Sequence, residues 1–570
     1  MMSALRPDID NATLRQIGQG TLRGGLSDNG ALTWRGIPYA APPVGELRWR
    51  APRPAPRFAG GELLAVEHGQ PCVQDLSLAA PFQDHDADGF VGSEDCLYLN
   101  VYAPAGSSSA DRLPVMYFIH GGGNVGGHNA ATTYDGSVLA ERERVIVVTI
   151  NYRLGLLGWF MHPALIEPDA SPEDRSGNWG TLDIIRGLHW VRENVAAFGG
   201  DADNVTIFGE SAGGVNVYSL LVSPLAKGLF HRAIAQSGGV LCDTMASACH
   251  YADDPEPGSP NSARELFNRL LLRTGQASDA ATAKALQNGM PDRAVAQLLR
   301  QATPAELIGL ANPERLRLYA APRVLRDGHV LPKESWLSAF SAGRFHRVPL
   351  ITGTNRDERR LYQFLEPRWR KTMRETPRDY VLYAKYGSLA WKQRAVDDVA
   401  RAMLHAGHRE VYAYRFDWDE QGTVQGFDMS LAVGAGHAVE LPFVFGTSSS
   451  LTPGLSGVTD ESRGALSASM TSYWAQLAYA GAPGQGRDGR QPEWQPWHER
   501  DGEPCLMLFD SAADGGVRMS AERIDHDALK RAVLEEQGFL SPGLHAQLYR
   551  GLFAASGFDE TEYRKLTSRV

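Results

Sequence analysis

Val205-Thr206-Ile207-Phe208-Gly209-Glu210-Ser211-Ala212-Gly213-Gly214 is the stretch that decides how this chain folds. Val205 to Phe208 is a short β-branched and aromatic run, the composition of a buried strand. After Gly213 and Gly214 comes Val-Asn-Val-Tyr-Ser-Leu-Leu, which reads as the start of a helix. A strand, then G-x-S-x-G, then a helix is the context of a nucleophile elbow. The chain turns so sharply at Ser211 that the residues two positions to either side must be glycine. The turn holds the serine Oγ out at the carboxyl edge of a sheet.

Working outward from the elbow, the neighbouring segments supply that sheet. Pro114–Ile119 and Val145–Ile150 are nearly unbroken apolar runs, as strands covered on both faces should be. Leu97–Tyr102 alternates like a strand, and Thr181–Phe198 carries apolar residues three and four apart, a helix preceding the Val205 strand. Ala233–Ala235, Pro349–Ile351 and Val411–Phe416 are further strands. Leu14–Ile17 and Leu32–Trp34, around the turn signal Ser27-Asp28-Asn29-Gly30, predict an antiparallel β ribbon at the start. Strands alternating with helices predict an α/β fold with a mostly parallel sheet and helices on both faces. Residues of about 250–330 and 360–410 read as helical insertions roofing the site, and about 525–570 as a helical tail. No linker, repeat or charge block divides the 570 residues, so 1–570 is expected to be one domain.

Composition narrows the partners. A net charge of −10 argues against nucleic acid and anionic membrane surfaces. No apolar run approaches the ~20 residues that span a bilayer. The first ten residues hold no apolar h-region, which points to the cytoplasm; a removed leader would instead make the chain secreted or periplasmic. No H-E-x-x-H or paired C-x-x-C is present to hold a metal, and Gly18-Gln19-Gly20 lacks the third glycine of a dinucleotide loop, so no cofactor is expected. Whether the chain is a monomer or a homodimer stays open.

A serine nucleophile needs donors for the oxyanion and a base for its proton. His120-Gly121-Gly122-Gly123 follows the strand ending at Ile119, and an HGGG loop supplies part of the oxyanion hole in α/β-hydrolase lipases and esterases. The expected donors are the N–H groups of Gly122, Gly123 and Ala212. His120, at a strand end, suits packing better than catalysis. In this fold the chain order is serine, acid, histidine. After Ser211 stand His231, His250, His329, His346, His405, His408, His437, His498, His526 and His545, and spacing does not choose among them.

Several motifs in order carry a resemblance that does choose. They are Gly36-Ile37-Pro38-Tyr39-Ala40 with Pro42-Pro43-Val44-Gly45; Ser93-Glu94-Asp95-Cys96-Leu97-Tyr98-Leu99-Asn100-Val101; Asn151-Tyr152-Arg153-Leu154-Gly155; Gly177-Asn178-Trp179-Gly180; and Phe198-Gly199-Gly200-Asp201. From about Gly36 to Asp510 the chain resembles the type-B carboxylesterase family, which includes the cholinesterases. The resemblance implies an α/β-hydrolase fold and a serine carboxylesterase acting on a small-molecule ester. It implies Glu358 as the acid, with Asp357 its local competitor, and His437, in Gly434-Ala435-Gly436-His437-Ala438-Val439-Glu440, as the base. Glu210 matches the family's carboxylate beside the nucleophile. A Cys72–Cys96 disulfide is implied, as are Arg48–Glu94 and Arg153–Asp183 as scaffold ion pairs. Two positions depart from the family. Asn124 follows the triple glycine where an aromatic or apolar residue is common, and Arg359 follows the acid where glycine is usual. Both are expected near the substrate and, together with Arg360, point toward a polar or carboxylate-bearing ester. The alternatives are a recognition or adhesion protein on the same fold, or an amide-cleaving or acyl-transfer variant.

Overall fold

Strands with no polar face have to be covered on both sides, and the computed structural model of this protein arranges them so. It describes residues 11–76, 89–311, 323–447 and 460–567; the first ten residues and 312–322 of the first insertion lie outside them. The chain divides into two compact units. One runs to Ala233 and includes Val240–Ala339 and Arg344–Arg347; the other holds Ile234–Gly239, Phe340–Gly343 and the chain from Val348 onward.

In the first unit the sheet strands are β1 (Leu32–Pro38), β2 (Tyr98–Ala103), β3 (Leu113–Ile119), β4 (Ile146–Ile150) and β5 (Gly200–Glu210). Their order is β5-β3-β4-β2-β1, with Gly25–Leu26 at the edge. β3 lies parallel to both β4 and β5, whereas β2 runs antiparallel to β1 and β4. Every residue of β3 and β4 is buried. The amphipathic segment before the elbow forms helix α1 (Trp179–Asn194), and the elbow opens helix α2 (Ala212–Val222). Phe118 packs on Phe208 with ring centroids 4.9 Å apart, locking β3 to β5. Residues 263–311 are helical in four pieces, Ala263–Arg273, Ala280–Gly289, Asp292–Gln301 and Pro304–Ala311.

The amino-terminal ribbon pairs differently from the sequence reading. Leu14–Ile17 turns back on Gly20–Arg23, and the Ser27–Gly30 turn instead links Gly25–Leu26 to β1. The glycines at 18 and 20 provide the earlier reversal, so the ribbon closes one turn sooner. The Cys72–Cys96 disulfide is corrected as well: all five cysteines are thiols. Cys72 and Cys96 are both buried, Cys72 Sγ accepts the Leu154 N–H at 3.2 Å, and the Cys96 thiol is pushed well up by burial and by its hydrogen bond with Cys72. The two sulfurs satisfy each other without a covalent bond. The scaffold ion pairs do form, Arg48–Glu94 at 2.5 Å and the buried Arg153–Asp183 at 2.8 Å.

The second unit carries the sheet order β6-β7-β8-β9-β10, where β6 is Arg232–Gln236 (its last three residues in this unit), β7 Leu350–Asn355, β8 Val411–Phe416, β9 Leu506–Phe509 and β10 Arg518–Ser520. β7, β8 and β9 are parallel; β10 closes the edge antiparallel. Tyr414, Trp474, Trp494 and Phe509 stack edge to face between 5.3 and 6.5 Å to form its aromatic core. After β7 come helices α3 (Glu358–Leu365), α4 (Pro367–Glu375) and α5 (Pro377–Lys392). The tail is helical over His526–Glu535, Pro542–Phe553 and Glu560–Thr567, and Leu529, Val533, Tyr549 and Phe553 pack with Tyr386 of α5.

Candidate active site

The elbow is built from backbone contacts. Ser211 sits at φ 57° and ψ −121°, between the last residue of β5 and the first of α2. A non-glycine residue at such a φ costs of the order of 1–3 kcal/mol, which the surroundings must hold in place. They do so by close approach. A Cβ at position 213 would lie 1.9 Å from the Ile119 carbonyl oxygen, and one at 209 would lie 2.6 Å from the Gly213 carbonyl carbon. Only glycine fits at either place, as the G-x-S-x-G reading requires.

The HGGG loop leaves β3 and runs against the nucleophile: a Cβ at Gly121 would meet Ser211 Cβ at 3.1 Å and Glu210 Oε2 at 2.7 Å. Gly122, Gly123 and Asn124 take φ of 100°, 66° and 59° in succession. The Gly122 carbonyl accepts from the N–H groups of Val125 and Gly126 at 3.1 and 3.0 Å, closing the turn. Among the described residues, the N–H groups of Gly122, Gly123 and Ala212 donate to no protein acceptor. Three free donors around a half-exposed serine are what an oxyanion requires. His120 is buried, stacked on Tyr152 at 4.4 Å, and its pKa is lowered by burial to about 4, so it is a neutral packing group.

Asn124 is tied into this loop. Its carboxamide oxygen accepts from Asn216 Nδ2 at 3.0 Å and from the Tyr152 hydroxyl at 3.4 Å, and its carbonyl accepts the Gly155 N–H at 2.6 Å. Asn216 lies on α2, so a side chain fastens the HGGG loop to the helix that follows Ser211. Gln74 clamps the far end, its carboxamide exchanging two hydrogen bonds with Gly127 at 2.8 and 3.0 Å.

Glu358 and His437, the expected acid and base, stand in the second unit. Glu358 is the first residue of α3 and is fully buried. Its Oε1 accepts from the Ser237 hydroxyl at 2.5 Å and the Asn355 N–H at 2.7 Å, and its Oε2 meets His437 Nδ1 at 2.5 Å. Asp357, the competitor, is occupied elsewhere: it pairs with Arg356 and Arg360 and accepts the Ala435 N–H. The His437 loop is latched by Asn355, whose Nδ2 donates to Gly436 O at 2.7 Å and Glu440 Oε2 at 2.6 Å; Gln236 donates to the other Glu440 oxygen at 3.0 Å. Burial pushes the Glu440 carboxyl up, against the pull of the Asn355 hydrogen bond, and the Glu358 charge pushes it further. The His437 ring is flanked by Trp391 at 5.0 Å and Tyr362 at 5.3 Å. Arg359 extends from α3 over the Tyr362 ring at 5.6 Å.

Other histidines have partners of their own. His231 accepts the Val205 N–H, His346 and His408 bond to the carbonyls of Ser223 and Val348, and His545 to that of Val533. His329 pairs with Glu173 and His405 with Glu499, both open to solvent. Ser237, Gln236, Asn355, Asn216 and Gln74 were not singled out from the sequence; each is a polar residue with no spacing to mark it. Among the described residues no cluster of His, Cys, Asp and Glu suits a metal ion, and no helix is long and apolar enough to cross a membrane.

A strand–elbow–helix on a mixed, largely parallel sheet, with a glycine loop against the serine, defines an α/β-hydrolase. The profile of the Carboxylesterase family matches residues 11–399 and 389–516, and the chain belongs to that family. It is 34% identical over 510 residues to para-nitrobenzyl esterase of Bacillus subtilis (strain 168), covering 85% of this chain and 92% of that protein. It is also 34% identical over 512 residues to fumonisin B1 esterase of Sphingopyxis macrogoltabida, covering 85% and 84%. The solved Geobacillus stearothermophilus carboxylesterase EST55 superposes with a TM-score of 0.66 at 28% identity, over 89% of this chain and 98% of that one. The protein is a carboxylic-ester hydrolase.

Proposed function

We propose that this chain, acting as a single α/β-hydrolase domain, cleaves carboxylic esters through an acyl-enzyme on Ser211, with Glu358 and His437 completing the triad. His437 Nε2 takes the Ser211 proton as Oγ attacks the ester carbonyl, and the carbonyl electron pair moves onto oxygen. The N–H groups of Gly122, Gly123 and Ala212 hold that oxyanion. Collapse expels the alcohol, which leaves with the proton from His437. Water repeats the path, giving its proton to His437 and its oxygen to the acyl carbon, and Ser211 is restored. Glu358 fixes the imidazole tautomer and stabilises its charged form, while Glu210 places a buried carboxyl group beside the nucleophile.

The observation that carries this reading is the 2.5 Å contact of His437 Nδ1 with a Glu358 carboxylate that is itself aimed by Ser237 and Asn355. An imidazole so held presents its other nitrogen as a base. Relatives named for para-nitrobenzyl and fumonisin B1 esters support an ester as substrate. Within that class we assign a preference for polar or carboxylate-bearing esters, resting on Arg359, and give Asn124 the task of holding the oxyanion loop. The test is Ser211→Ala beside wild type on p-nitrophenyl esters, with a fluorophosphonate probe read by mass spectrometry. Turnover and one covalent adduct should both vanish in the variant; turnover surviving in it would sink the mechanism.

A further inference from the structure

The segment that delivers the acid carries a charge opposite to that of the whole chain. Residues 358–392 hold nine Lys and Arg against four Asp and Glu, a net +5 in a protein of net −10. Some of these cations are paired where they stand. Arg360 pairs with Asp357, Arg368 with Glu366 and Lys392 with Asp397. Even the cavity of about 370 Å³ beneath the Asn355–Asp357 turn, lined by Arg356, Arg360, Lys392 and Arg415 among others, is balanced: Arg356 also meets Asp419, and Arg415 meets Asp417 and Glu522.

Arg359 is different. It is exposed, and among the described residues its guanidinium has no carboxylate partner. Yet its position is built. Its N–H donates to Ser388 Oγ at 3.1 Å, and its stem lies along Gly387 of α5, where a Cβ would come within 2.7 Å of Arg359 Cγ. A side chain at 387 would displace it. The guanidinium ends over Tyr362, whose ring is one contact from the base His437. Trp391 also packs on His437 at 5.0 Å, beside Tyr362 at 6.0 Å, and is itself fixed by an Nε1–H bond to the Gly238 carbonyl at 2.8 Å. Guanidinium and imidazole are thus separated by no more than two steps of 5.6 and 5.3 Å.

We propose that Arg359, with the half-exposed rings of Tyr362 and Trp391, forms a carboxylate subsite beside His437, so that the preferred substrates are half-esters of short dicarboxylic acids. The proposal rests on the reading of His437 as the base. An arginine stacked on a ring keeps its planar fork free for bidentate pairing with a carboxylate. The aromatic walls take the methylene spacer between the ester and the free acid. The surplus positive charge of residues 358–392 steers an anionic ester toward a protein that is otherwise acidic, an effect that added salt weakens.

The experiment compares p-nitrophenyl hydrogen adipate with p-nitrophenyl hexanoate, an anionic and a neutral ester of equal chain length. In wild type, kcat/KM for the adipate should exceed that for the hexanoate at low salt, and the advantage should shrink as sodium chloride rises to 0.5 M. In Arg359→Gln the adipate-to-hexanoate ratio should fall about tenfold or more, the loss of a charged hydrogen-bond pair, and appear mainly in KM. Arg359→Lys should keep the salt dependence but recover only part of the ratio. An unchanged ratio in Arg359→Gln, or a wild-type preference for the hexanoate at low salt, overturns the subsite. The wild-type salt profile decides the matter even if the variant fails to fold. Failure of the underlying mechanism reads differently: His437→Ala would then still turn over both esters.

Discussion

Asn124 offers the sharpest test of how the oxyanion loop is held. Replacing it with alanine removes the acceptor used by Asn216 Nδ2, and leaves the amide of Asn216, which is 1% exposed, without it. A buried donor stranded in this way costs about 1–3 kcal/mol. Alanine must also adopt φ 59°, where a left-handed residue other than glycine or asparagine costs about 1 kcal/mol more. Asn124→Ala should therefore lose about 2–4 kcal/mol of stability by urea denaturation. Asn124→Gly, which escapes the backbone cost, should lose about 1 kcal/mol less. If the loop loosens, the N–H groups of Gly122 and Gly123 drift, and kcat on p-nitrophenyl butyrate should fall toward the roughly 10²–10³ associated with one missing oxyanion donor. Variants within about 0.5 kcal/mol of wild type with kcat intact would refute this reasoning. They would mean that the Gln74 clamp at Gly127 holds the loop by itself.

Two further expectations follow from the same geometry. Ser237→Ala removes a hydrogen bond to an ionised carboxylate, worth about 1.5–3 kcal/mol, so kcat should drop about tenfold or more with KM little changed; an unaltered kcat would show that Asn355 alone aims Glu358. Acid should destabilise the fold through its buried histidines. His120 and His162 have pKa values lowered by burial to about 4 and His128 to about 3, whereas in the unfolded chain they protonate near 6.5. Below pH 6.5 the unfolded state binds more protons, so stability falls from there down to about pH 4 for His120 and His162, by roughly 3 kcal/mol each, and on to about pH 3 for His128, by roughly 5 kcal/mol. Urea midpoints between pH 7 and 4 should fall less steeply in His162→Asn, and an identical slope would count against a neutral buried His162.

What could be read in the sequence was what the backbone dictates locally. Gly209 and Gly213 are forced by contact with the end of a neighbouring strand and with each other, so the elbow leaves its mark within five residues. The triple glycine does the same for the oxyanion loop. The proposed base was another matter: ten histidines follow Ser211, and nothing local distinguishes His437, whose partner is a carboxylate 79 positions earlier. The family resemblance supplied it. Gln236 and Ser237 at the end of β6 and Asn355 at the end of β7 reach Glu358 and the His437 loop, and a lone serine, asparagine or glutamine at a strand end has many uses. Asn124 was noticed for its departure from the family, but its partner Asn216 sits 92 residues away and only the fold joins them. The cysteines mislead for a related reason: Cys72 and Cys96 do come together, yet as a hydrogen-bonded pair of thiols.

The elbow also has a bearing on what else this scaffold can be made to do. Its shape is enforced by backbone atoms of Ile119, Gly209 and Gly213, and the Ser211 side chain makes no capping hydrogen bond to the helix it opens. Position 211 is in that sense a socket: the fold fixes where the reactive atom sits and leaves its identity open. A thiol placed there would inherit the same point of attack and the same oxyanion donors, so the scaffold separates where attack occurs from which element carries it out.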